Sequence, residues 1–132
     1  MGLLAAGLAL LSACSYTKER IPEPACPSPL PAVVSYQTDV LPILQARCYR
    51  CHSAANYNNA SPNGSAGALN MESFSELKGW TQPQGNGGPS YIVGSIRQLP
   101  GYNAMPYDGK DGPDACQIAT IKAWVDAGAP NN

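Results

Sequence analysis

Cys48-Tyr49-Arg50-Cys51-His52 places two thiols and an imidazole within five consecutive residues. The spacing C-x-x-C-H is that of a covalent attachment site for a c-type haem. Two thiols three residues apart on a helical turn can each add to a vinyl group on one edge of a porphyrin, and the adjacent imidazole then reaches the iron from one face. Two other uses of the cysteine pair stand beside this one. A thioredoxin-like dithiol calls for a βαβ context, and the flanking sequence has no alternating strand pattern. A structural zinc site calls for four ligands, whereas His52 is the sole histidine of the chain and the remaining cysteines are distant in sequence.

The single histidine bears on the iron's other face. Ligation by two histidines of this chain is impossible, so the sixth position takes a sulfur, a weaker ligand, a partner's residue or nothing. Of three methionines, Met1 falls in the leading apolar run, leaving Met71 and Met105. Met105 lies in Gly101-Tyr102-Asn103-Ala104-Met105-Pro106-Tyr107-Asp108-Gly109, a stretch of turn formers between two helical segments, where backbone geometry can aim a thioether. Pro106 biases the residue before it towards extended backbone. Met105 is the candidate distal ligand, with a buried loop anchor as its plain structural role. Met71, just ahead of the helix-like Ser73 to Trp80 stretch, reads as a core filler.

The elements that must position these groups follow from periodicity. Leu41, Leu44, Cys48 and Cys51 recur at i, i+3, i+7 and i+10, which puts both thiols on the apolar face of one amphipathic helix. Thr38 is its expected N-cap, with Pro42 tolerated in the first turn. Asp114 and Gln117 form a capping-box pattern that opens a last helix, and Gly128 before Ala129-Pro130 closes it. Ile118, Ile121 and Val125 form an apolar stripe on that helix, and Trp124 beside them reads as core. Asp108, Asp111 and Lys110 read as turn residues, since no bidentate Glu completes a calcium loop. Arg47 and Arg50 flank the cysteines and can face a partner, a haem propionate or solvent. Tyr91, Arg97, Tyr102 and Tyr107 are further candidates for propionates.

Composition narrows the class. With 13 Gly and 13 Pro in 132 residues the chain is a small, loop-rich domain that needs a staple beyond its core. A charged fraction of 13% and a net charge of −1 exclude a polybasic nucleic-acid binder. Met1 to Cys14 is an apolar run too short to span a bilayer, the mark of an export signal. Its end, Leu11-Ser12-Ala13-Cys14, resembles a bacterial lipobox, which implies lipidation of Cys14. An ordinary signal cleaved near Ala13 is the alternative, and either exports the domain. From Ser15 to about Val34, Pro22, Pro24, Pro27, Pro29 and Pro31 favour an extended tether. With Cys14, Cys48 and Cys51 assigned, Cys26 and Cys116 remain, and in an oxidising compartment they are expected to form a disulfide.

The chain resembles the monohaem c-type cytochromes of the class I kind, in their bacterial lipoprotein form. The resemblance rests on Val40-Leu41-Pro42-Ile43-Leu44 ahead of Cys48 to His52, on Gly67 to Met71 leading to Leu77, on Ala104-Met105-Pro106, and on Ile118 to Pro130. It implies an all-α, loop-rich fold over residues 35–132 wrapped around one covalent haem, behind a signal segment 1–14 and a tether 15–34. It implies axial ligation by His52 and Met105, the latter favouring the ferrous state. It also implies electron transfer between redox protein partners at the cell envelope, not catalysis. In that fold the last helix would bury Ile118, Ile121 and Trp124 against Val40 and Leu44. The long polar stretch Ser53 to Gly67 departs from the family pattern, and Pro62 is the candidate there for the carbonyl that orients His52. The rival functions are a haem-based gas sensor or peroxidase-like catalyst with an open sixth position, and an assembly lipoprotein in which haem is structural.

Overall fold

The computed structural model describes residues 26, 29–59, 69–83 and 88–132. The segment 1–14 with Cys14, most of the tether and Pro62 lie outside the described residues. Among those described, the protein is helical and has no strand, only an isolated bridge between Pro83 and Ser90. A π-helical turn, Tyr36–Val40, leads into α1 (Leu41–Arg47) and α2 (Tyr49–His52). Then come α3 (Phe74–Trp80), α4 (Tyr91–Ile96) and α5 (Ala115–Asp126). None of these helices is long and apolar enough to cross a membrane.

The first helical segment starts earlier than Thr38. Ser35 is the cap: its hydroxyl accepts the Thr38 N–H, while Asp39 Oδ2 accepts the Ser35 N–H at 2.8 Å. This reciprocal pair satisfies the free end of the turn, and Thr38 becomes an interior position. Pro42 stands in the first turn of α1, where its missing N–H costs nothing. The expected single helix is broken once, at Cys48. The Cys48 N–H still bonds to Leu44 O at 2.8 Å and Cys48 O accepts the His52 N–H at 2.8 Å, so Cys48 is hydrogen-bonded to the helical segment on either side of it. Of the predicted apolar face, Leu44 is fully buried and Leu41, Cys48 and Cys51 are half-buried.

The last helix opens at Asp114 with the expected capping box. Asp114 Oδ1 accepts the Gln117 N–H at 2.9 Å and Gln117 Oε1 accepts the Asp114 N–H at 3.0 Å. It closes through Gly128, whose φ of +88° is a conformation that favours glycine. Ile121 and Trp124 are buried, while Ile118 and Val125 are only half-buried. The α5 helix packs on the π-helical turn that carries Val40, and on α4. Trp124 stacks on Tyr36 with ring centroids 5.4 Å apart, and its indole N–H donates to Pro130 O at 2.8 Å. Trp124 is therefore core. Val34, at the end of the proline-rich stem, is buried in that core as well.

Cys26 and Cys116 are joined as a disulfide, which fastens the stem to the first turn of α5. Closing a loop across a sequence separation of 90 stabilises the fold by about 4–5 kcal/mol in the chain-entropy model.

Candidate functional site

Cys48, Cys51 and His52 share one turn of backbone, as their spacing requires, and both thiols are free. Burial pushes the Cys48 thiol up to about 11 against a smaller opposing pull from Arg50, so it is a neutral thiol near neutral pH. His52 is held from two sides by a single short segment. Its Nδ1 lies 3.0 Å from Leu69 O, and its own carbonyl accepts the Met71 N–H at 2.8 Å. A carbonyl can only accept, so Nδ1 is the donor in this bond. The carbonyl that orients His52 thus belongs to Leu69, just past the polar segment where Pro62 lies.

Leu69 and Met71 can serve as this wall because both side chains are buried in the core, which leaves their backbone facing α2. Met71 is a core residue, as expected. Tyr49 adds a third tie, its hydroxyl lying 3.4 Å from Met71 O. Burial and the neighbouring Tyr36 hydroxyl push the Tyr49 phenol up to about 12, which keeps it neutral.

Met105 is half-buried in the loop after α4. Its N–H donates to Ser95 O at 3.0 Å, and its peptide bond to Pro106 is cis. The loop then turns tightly: the Gly109 N–H donates to Pro106 O at 3.1 Å, with Gly109 at a φ of +68°. At this turn the loop meets the cysteine segment. Arg50, between the two cysteines, donates from Nη1 to Asp108 Oδ2 at 2.8 Å and from Nη2 to Asp108 Oδ1 at 2.7 Å. Nη2 also donates to Lys110 O at 2.8 Å. The guanidinium holds the Asp108 carboxyl well below the usual carboxylate range, and the carboxylate raises Arg50 in turn.

Arg50 is therefore committed to the methionine loop. Arg47, by contrast, has its Nε buried with no hydrogen-bond partner. Among the propionate candidates, the Tyr91 hydroxyl accepts from Asn103 Nδ2 at 2.7 Å and the Tyr102 hydroxyl donates to Pro89 O at 2.9 Å. Both hydroxyls are thus engaged within the protein, and Tyr107 stands 73% exposed. Two surface hollows of about 500 and 600 Å³ lie along α3, one towards Tyr91 and one towards the end of α5, and Cys48 to His52 line neither. Among the described residues no group of three or more His, Cys, Asp and Glu side chains is placed to hold a metal ion.

Two features of the site escape sequence reading. The Leu69 carbonyl is backbone and has no side-chain signature. The Arg50–Asp108 pair has only its opposite charges to announce it, across 58 residues. Comparison of the chain with family models, curated proteins and solved structures finds no match.

Proposed function

We propose that this chain is an electron carrier in which Cys48, Cys51 and His52 hold one c-type haem and Met105 supplies the second axial ligand. The observation that carries the reading is the bond from His52 Nδ1 to Leu69 O in the turn that also bears two free thiols. Metal-binding imidazoles are characteristically held through their other nitrogen in this way, which sets tautomer and ring orientation together.

Haem bound there supplies one-electron cycling between ferric and ferrous iron. The residues of the chain hold and orient it. Cys48 and Cys51 fix the group covalently, so a small core need not enclose it. Leu69 O holds the His52 ring through Nδ1, while the Met71 N–H and the Tyr49 hydroxyl tie that segment to α2. Ser95 O holds the Met105 N–H, and Arg50 holds the same loop further on at Asp108 and Lys110. Lipidation of Cys14 and the proline-rich stem would set this carrier on an exported face of the cell envelope, within reach of protein donors and acceptors.

The test is an optical spectrum of the haem-loaded protein, oxidised and reduced, then with carbon monoxide added. A low-spin iron that ignores the gas supports a six-coordinate carrier. A high-spin or gas-binding iron overturns it in favour of sensing or peroxidase-like catalysis. A Met105→Ala protein with unchanged ligation spectrum and potential overturns the assignment of Met105.

A further inference from the structure

We propose that Arg50 is the positioning residue for the sixth ligand: reaching from between the two thiols, it clasps the 104–112 loop shut and so keeps Met105 at the iron. This rests on the reading of Met105 as that ligand.

The loop is gripped at three points. On the α4 side the Met105 N–H is tied to Ser95 O, and Gln98 Nε2 donates to Met105 O at 3.4 Å. On the α2 side Arg50 makes a two-pronged bond to Asp108 and a third bond to Lys110 O. Asp108 Oδ1 also accepts the Lys110 N–H at 3.1 Å, so the fork grips a turn that is already closed on itself. Finally the chain passes back over Pro106 at Gly112, where an added Cβ would lie 2.8 Å from Pro106 Cδ. Met105 thus sits between a backbone anchor on α4 and a side-chain anchor in the cysteine turn.

The same three bonds would contribute little to global stability. The pair is solvent-exposed, with 36% and 44% of the two side chains accessible, and exposed ion pairs are weak. Their value lies in direction: a planar fork fixes both distance and angle, which a lysine's point charge does not. Losing the fork frees the outer end of the loop while the core is left intact. The fraction of molecules with Met105 withdrawn then rises, and a competing ligand binds in proportion to that fraction.

The experiment uses the full-length haem-loaded protein, with Asp108→Asn and Arg50→Lys as separate variants. It follows the methionine-to-iron charge-transfer band, the rate of carbon monoxide binding to the ferrous form, and the urea midpoint. Both variants should bind the gas faster by about tenfold or more, reflecting a larger open-loop population, with the band weakened and the midpoint unmoved. A gas-binding rate within about twofold of wild type in both variants, with the band intact, overturns the clasp. So does a faster rate that only tracks a fall in the urea midpoint, which is the signature of a structural role. If wild type itself lacks the methionine band and Met105→Ala leaves its spectrum unchanged, the ligand reading fails and the clasp with it. That outcome is distinct from a methionine-ligated wild type whose Asp108 variant behaves identically.

Discussion

Replacing Gly94 by alanine should destabilise the protein, although within a helix that exchange ordinarily helps. On backbone entropy alone, glycine to alanine inside α4 gains about 0.5–1 kcal/mol. The Tyr102 ring, however, lies directly over Gly94. A Cβ there would be 2.5 Å from Tyr102 Cγ and closer still to Cδ1 and Cε1. Carbon atoms rest about 3.5–4.0 Å apart, so the ring must retreat by about 1 Å or more. It is not free to do so: its hydroxyl donates to Pro89 O at 2.9 Å and its face leans on Tyr91 at 5.9 Å. Overpacking of this kind costs about 1–3 kcal/mol, and breaking the hydroxyl bond adds about 1 kcal/mol. After the propensity gain is subtracted, the expected net loss is about 1–3 kcal/mol. Gly79 in α3 is the internal control, because a Cβ there meets nothing within 4 Å. Gly79→Ala should gain about 0.5–1 kcal/mol. Urea unfolding of the haem-loaded protein, followed by far-ultraviolet circular dichroism, reads both variants on one scale. Midpoints that rise together would refute the placement of Tyr102 over Gly94. A Gly94→Ala, Tyr102→Ala double variant should lose less than the sum of its single losses, since the clash is removed with the ring.

Removing the disulfide with Cys116→Ser, or reducing it, should lower stability by about 2–5 kcal/mol. The bond pins the stem to the first turn of α5. A loss well under 1 kcal/mol in urea unfolding would mean that the stem is held by its other contacts. The Asp108 carboxyl, held below its usual range by the Arg50 bond, should stay ionised when carboxylates of ordinary pKa, about 3.9, are half protonated. With a depressed folded pKa, its contribution is present above the usual carboxylate range and is lost only as pH falls further, through the folded value. Carboxyl carbon resonances followed through an acid titration give the check, and an Asp108 midpoint at the ordinary value would contradict the two-pronged bond.

The features legible in the sequence are those settled within a turn or two of chain. Cys48, Cys51 and His52 lie together because three residues make nearly one helical turn, whatever surrounds them. The Asp114–Gln117 box closes in the structure as read, since both partners lie in the same first turn. Pro42 falls where a missing N–H is harmless, and the buried Met71 serves the core, as its place ahead of α3 suggests. Cys26 and Cys116, the two cysteines left over beside Cys14 and the C-x-x-C-H motif, pair as a disulfide. Even locally the reading slipped by three residues at Thr38, because Ser35 and Asp39 bond each other reciprocally and outcompete it.

The tertiary structure decided what depends on surfaces brought together from far apart. The carbonyl that orients His52 comes from Leu69 because Leu69 and Met71 bury their side chains and turn their backbone to α2. Any residue has a carbonyl, so no side-chain type marks that role. Arg50 reads from sequence as a solvated charge or a propionate ligand. It becomes a loop clasp only once α4 sends the chain back past α2 and Asp108 arrives within 2.8 Å. The stripe on α5 is legible in the sequence and the resemblance sets it against Val40 and Leu44, but nothing in the sequence marks Tyr36 as the ring that stacks on Trp124. Tyr36, the first residue of the π-helical turn, stacks on Trp124, while Ile118 and Val125 of the expected stripe are only half-buried. Spacing along the chain determines which groups can act together within one turn, because backbone geometry there is nearly constant. Which distant group meets them is set by how the burial of apolar side chains arranges the helices, and that is a property of the whole core.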